Sequence, residues 1–296
     1  TATSNTARGM SGGAVYDDSG FASTTGSTYT NITMAGNHAF NRGGGMYVAN
    51  GRVTVTNATV TANTVDNTNL DNSFVGFGGG FALGRSGTLT VNNGTVNANT
   101  ATRAGGGVGV VDGFDTVTLH NTIVYGNSGS GATNNCAIRS GSSGAVITST
   151  GYNLANDLTC FLTATGDRQG SAFNPNLGVL QDNGGPAQGA PGFTSQVLTE
   201  ALPGTSIAVD TADPTTAKNP ATDERHVTRP QGAASDVGAF EFVPVIPTLP
   251  LAGGHEAVGW RVEFALLAIL LATLVAAMLV TVGRLSRAPA DHSEGT

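Results

Sequence analysis

The feature that most constrains this chain is an eleven-residue phrase written four times in its first half, at 27–37, 53–63, 89–99 and 117–127. In every copy the fifth residue is asparagine (Asn31, Asn57, Asn93, Asn121) and the eighth is apolar (Met34, Val60, Val96, Val124). The tenth is glycine or alanine, and the last is again asparagine (Asn37, Asn63, Asn99, Asn127). Alternating Thr and Val favour strand. Copies starting 26, 36 and 28 residues apart have the spacing of solenoid turns. No such unit buries its apolar side alone, so the core has to come from stacking one on the next.

Between the copies run glycine-rich corners: 11–14, 43–46, 78–81 and 105–108. Glycine reaches backbone angles closed to other residues, which suits the tight corner between two strand faces. A short strand after each corner, followed by a block bent at its central Asn, gives about three strands per coil. The expected class is therefore all-β, a parallel β-helix over 1–135. Asn37, Asn63, Asn99 and Asn127 are read as a structural ladder, each amide bonding sideways to its counterpart above and below. Counted from the glycines, Asp18, Asn50, Arg85 and Asp112 fall at one stacked turn, with Arg85 expected near Asp112 and Asn50. The longest coil carries extra residues within 65–76, expected to bulge from the cylinder as a loop.

Composition removes several function classes. The net charge is −7 and Lys218 is the only lysine, so no basic face exists to neutralise phosphates, and nucleic acid is not expected as a partner. Two cysteines are too few for a zinc site and the histidines are scattered, so no metal or cofactor is expected. In an exported protein Cys136 and Cys160 read as one disulfide, the alternative being two buried thiols. No catalytic residues are expected either. A glycosidase needs two carboxylates at fixed separation, whereas Asp17, Asp18, Asp66, Asp71, Asp112 and Asp115 map to turns and to the insertion. An aromatic row for stacking sugars is not evident in the sequence.

The glycine corners paired with Asn-ended blocks resemble the right-handed β-helix repeats of bacterial surface proteins similar to the polymorphic outer-membrane proteins. From 136 to 242 the wording changes to Gly-Tyr-Asn-Leu at 151–154, Leu-Gln-Asp-Asn-Gly-Gly-Pro at 180–186, Leu-Pro-Gly-Thr-Ser at 202–206, Asp-Glu-Arg at 223–225 and Asp-Val-Gly-Ala-Phe-Glu at 236–241. In order and wording these phrases resemble the choice-of-anchor Q domain found at the end of β-helices in exported bacterial proteins. The resemblance implies a portion that continues and caps the solenoid and brings no catalytic residues. Arg225 and Arg229 are expected to satisfy carboxylates and carbonyls where that cap closes, among Asp223, Asp236 and Glu241.

The remainder reads as an anchor. Pro244, Pro247 and Pro250 recur every third residue in a stalk over 243–263, the period of an extended polyproline spacer. Residues 264–282 carry no charge, and at about 1.5 Å per residue they reach roughly 28 Å, a bilayer core. Arg284 and Arg287 follow, placing a short tail over 283–296 in the cytoplasm by the positive-inside rule. Ile246, Pro247, Thr248 and Leu249, followed by the apolar stretch and arginines, resemble an Ile-Pro-Thr-Leu type C-terminal sorting signal, implying an exosortase-like processing enzyme; a permanent anchor is the alternative. A chain that opens at Thr1 without a leader yet carries such a segment reads as processed or truncated upstream. The expected protein is thus membrane-anchored at the cell envelope or surface with its β-helix outside the cytoplasm. Its expected role is adhesion or envelope interaction through a glycan or surface ligand. The rival is a polysaccharide lyase or glycoside hydrolase on the same scaffold.

Overall fold

The computed structural model describes residues 1–8, 10–20, 26–67, 72–130, 135–187, 195–215 and 219–245. The expected membrane span and tail lie outside them, as do most of the stalk, Asp71 and the sorting-like residues Ile246, Pro247, Thr248 and Leu249. Among the described residues no helix is long and apolar enough to cross a membrane. The described chain is all-β, with many-stranded parallel sheets, an arrangement compatible with a β-helix.

Register runs straight through the repeats. Val15, Met46, Phe81, Val108 and Cys136 pair in sequence along one sheet. Ser27, Val53, Leu89, Val117 and Ile147 pair along a second. Past the bend, Met34, Val60, Val96, Val124 and Ala155 pair along a third run. Each winding therefore lies on the one before it, at the roughly 4.8 Å spacing of hydrogen-bonded strands. A further short sheet, absent from the sequence expectation, joins Thr6–Ala7, His38–Ala39, Thr64–Val65 and Thr100–Ala101 just after the terminal asparagines.

The invariant positions of the phrase now have physical reasons. The central asparagines hold left-handed backbone, with φ of 54°, 51°, 50° and 47° at Asn31, Asn57, Asn93 and Asn121. Asparagine tolerates that region better than other side-chain-bearing residues, so it bends the strand there. The tenth positions are also left-handed, Gly36 at 63°, Ala62 at 54°, Ala98 at 53° and Gly126 at 64°, which is why nothing larger than alanine appears. At the corners, a methyl group on Gly79 would sit 2.5 Å from the Thr100 carbonyl oxygen and 2.6 Å from that of Gly106. Neighbouring windings approach so closely that a side chain is excluded.

Inside the column, Met34, Met46, Val48, Val55, Val60, Phe81, Leu83, Leu89, Val91, Val108, Val117 and Leu119 form one continuous buried core. Near the far end of the stack, the Cys136–Cys160 disulfide joins residues 24 apart, and both sulfur-bearing residues pack into that core. The change of wording at 136 is not a change of architecture. Cys136–Ile138, Val146–Gly151, Leu154–Ala155 and Arg168–Gln169 keep adding parallel strands to the stack. Beyond them the chain leaves the column and returns along its flank. Thr33 Oγ1 meets the Leu198 carbonyl, Thr61 Oγ1 meets Glu200, and Thr95 Oγ1 accepts from Ala239 N. A second apolar cluster of Ile123, Leu154, Leu202, Ala208, Ala212, Val237 and Phe240 seals that flank. Residues 1–245 are one compact unit.

Candidate functional site

Asn37, Asn63, Asn99 and Asn127 stand in file at one corner, all buried. The Nδ2 of each donates to the Oδ1 of the next winding: Asn37 to Asn63 at 2.8 Å, Asn63 to Asn99 at 2.9 Å, Asn99 to Asn127 at 2.9 Å. The file extends to Asn5 before it and Asn135 after it. The second N–H of each amide donates backward, to the carbonyls of Ala2, Met34, Val60 and Val96. Each of these amides thus links three levels of the stack, and none is free to serve as a ligand.

The stacked turn is different, because it is open to solvent. Asp18 pairs with Asn50 in register. Arg85 holds left-handed backbone and donates its N–H to Asp112 Oδ2 at 2.9 Å. The contact expected between Arg85 and Asp112 is therefore made by the main chain. Among the described residues no ion pair engages the Arg85 guanidinium, which is exposed.

Beside this turn lies an arrangement that the sequence reading did not assemble. Tyr16 and Tyr47, on the outward side of the strands that follow successive glycine corners, pack with ring centroids 5.5 Å apart. Arg42 Nη1 donates to the Tyr47 hydroxyl at 2.9 Å, and its guanidinium carbon lies 5.4 Å from the ring centre. A methyl group on Gly84 would collide with the Tyr47 hydroxyl and come within 3.0 Å of Asp112 Oδ2 and 3.2 Å of Arg42 Nη1, so these groups converge where Gly84 leaves room. Together with Met10, Ser11, Asn41 and Arg85, the two tyrosines and Arg42 line a cleft of about 220 Å³. Tyr16 is 46% exposed whereas Tyr47 is 3% exposed, so one ring is a platform and the other a wall. Burial pushes the Tyr47 phenol above its usual pKa range, with Arg42 and Arg85 pulling against the shift and Asp112 adding to it.

Guanidinium–aromatic contacts recur farther along the chain. Arg103 lies 6.0 Å from the Phe77 ring centre and Arg139 lies 4.0 Å from that of Phe74. Phe74 belongs to the insertion, whose described part is fastened by Arg103 donating to the carbonyls of Val75 and Asn72. An aromatic pair is therefore present where the sequence showed none. It went unseen because its members are distant in the chain, although both stand three residues after the middle glycine of their corners.

Three of the carboxylates weighed for catalysis are held in structural contacts. Asp17 faces inward and accepts from the Tyr29 hydroxyl at 2.8 Å. Asp66 meets His38 at 2.8 Å. Asp115 is buried, accepts from the backbone N–H groups of Gly87 and Asp112, and is raised by burial to about 6. Among the described residues no group of three His, Cys, Asp or Glu side chains is placed to hold a metal ion.

Further acids raised by burial lie under the returning flank. Glu224 is fully buried between Thr33 and Thr59, and burial drives its pKa well above the carboxylate range. Glu200 is raised for the same reason between Thr61 and Asn97. Arg225 binds Asp223 at 2.6 Å and the Glu241 carbonyl, while Arg229 binds Glu241 at 2.8 Å and the carbonyls of Asp236 and Gly238. These groups hold backbone to backbone where the flank closes.

Compared with protein-family models, curated proteins and solved structures, the chain matches none.

Proposed function

We propose that this chain is an exported bacterial protein, a right-handed β-helix held at the envelope by a proline-rich stalk and the apolar stretch at 264–282, acting in adhesion or envelope interaction. The observation that carries the reading is an asymmetry between two sides of one column. The side bearing Thr33, Thr59, Thr61 and Thr95 is sealed by the returning flank. The side bearing Tyr16, Tyr47, Arg42 and Arg85 is left open as an aromatic and polar cleft. Lining of this kind, a ring to stack on and a few polar groups to orient, is what sugar-sized ligands require.

The anchor rests on sequence order alone: proline stalk, uncharged stretch, then arginines. The engagement of Asp17, Asp66 and Asp115 in structural bonds weighs against glycosidase chemistry on the same scaffold.

The test is a glycan and matrix-protein binding screen on the full chain in detergent or nanodiscs, run beside Tyr16→Ala and with assays for newly formed reducing or unsaturated sugar ends. Binding that Tyr16→Ala weakens at least tenfold, without product, supports adhesion. Product formation, or the absence of any bound ligand, overturns it. Fractionation with protease shaving of intact cells checks the location, and a protected 1–245 portion contradicts it.

A further inference from the structure

Beyond the reading of this face as the adhesive one, on which it rests, the charge of the cleft narrows the class of ligand. Residues 1–245 carry nine arginines, among them Arg8, Arg42, Arg52, Arg85, Arg103 and Arg139 in the coils. Two of these six, Arg42 and Arg85, line a single cavity of about 220 Å³ in a chain whose net charge is −7. Asp112 Oδ2 also reaches Gly84 beside Arg42 Nη1, and that oxygen already accepts from the Arg85 N–H. Arg42 uses Nη1 on Tyr47, while its Nε is buried without a hydrogen-bond partner. The Arg85 guanidinium has no partner among the described residues either.

The site therefore combines unspent positive charge with an exposed phenol ring. A planar carboxylate suits guanidinium donors, and the apolar face of a sugar ring suits the exposed side of Tyr16. The volume fits a single ring rather than a chain of them. We propose that the cleft binds one hexuronate residue of an acidic polysaccharide, its carboxylate on Arg42 and Arg85 and its ring on Tyr16. The remaining polymer lies over the outward face. A neutral sugar would leave the donors of both arginines unmet, and a free phosphate would leave the Tyr16 ring unused.

Calorimetric titration of the full chain with tri-galacturonate, its methyl ester, a neutral galactotriose and inorganic phosphate tests this. The acidic trisaccharide is expected to bind at least tenfold more tightly than its ester or the neutral sugar, with affinity falling as salt is raised. Arg85→Ala, at an exposed position, is expected to lose about tenfold while melting unchanged. Gly84→Ala, which drives a methyl group against the Tyr47 hydroxyl, is expected to lose binding as well. Arg52→Ala, outside the cleft, should leave it intact. Equal binding of acid, ester and neutral sugar, with Arg85→Ala silent and Tyr16→Ala damaging, overturns the acidic specificity while leaving the adhesive face standing. Tight binding of phosphate in preference to the uronate overturns the ligand class. No binding by any of them, with Tyr16→Ala equally silent in the wider screen, removes both readings.

Discussion

Asn63 Nδ2 lies 2.9 Å from Asn99 Oδ1, and the same nitrogen reaches back 2.8 Å to the Met34 carbonyl, so one side chain ties together three successive windings. Its own oxygen accepts from both the backbone and the side chain of Asn37. A file of this kind is directional: each amide takes its acceptor from the next winding, and all its polar atoms are used.

Removing one member should therefore cost more than a single hydrogen bond. Asn99→Ala strands the N–H and Nδ2 of Asn63 and takes the donor away from the Val60 carbonyl and from Asn127. With about 1–3 kcal/mol for each buried group left unpaired, the expected loss is about 3–5 kcal/mol. Urea unfolding of residues 1–245 checks it, with Thr90→Ala as a control expected to change stability by about 0.5 kcal/mol or less.

The returning flank is predicted to depend on a neutral acid. Burial raises the pKa of Glu224 between Thr33 and Thr59 and so favours its neutral carboxyl. Glu224→Gln preserves its shape and lack of charge and should cost no more than about 1 kcal/mol. Glu224→Ala leaves two hydroxyls facing a void and should cost roughly 2–4 kcal/mol. Limited proteolysis reads the difference, since a loosened flank exposes cleavage sites between 196 and 242.

Stability should rise on mild acidification. Burial raises Asp236 to about 7 and Asp115 to about 6, so the folded protein binds these protons more tightly than the unfolded chain does. Their contribution is fully present below the unfolded aspartate range and is lost as pH climbs through the folded values. Glu200 and Glu224 shift in the same direction. Between pH 5 and pH 8 the Asp236 proton alone accounts for a decline of roughly 2 kcal/mol. The urea midpoint should fall steadily across that interval, whereas a midpoint that climbs from pH 5 to pH 8 contradicts the assignment.

The legible part of this molecule was the repeating part. A side chain that must bond to its own counterpart one winding away is written at every turn, so Asn37, Asn63, Asn99 and Asn127 announce themselves. So do the left-handed positions that admit only asparagine, glycine or alanine. The flank leaves no such trace. Its contacts join residues far apart in the chain, 191 apart for Thr33 with Glu224, and the flank's own residues are written once, so no period reveals them. The cleft falls between these cases. Tyr16 and Tyr47 share a register position that the glycine corners define, but Ala82 and Gly109 occupy it in the next two windings, and a pattern of two is easily missed. Arg85 lies beside Asp112 through its N–H, and sequence counting does not distinguish a contact by its main chain from one by its guanidinium.

The central claim is that one side of the column meets the ligand while the other is sealed, and hydrogen–deuterium exchange of the full chain with and without an acidic oligosaccharide tests it most directly. Protection is predicted at 41–48 and 82–85, around Arg42, Tyr47 and Arg85, with no change at 31–35 or 57–61 beneath the flank. Protection confined to the flank, or spread evenly over all windings, would contradict it.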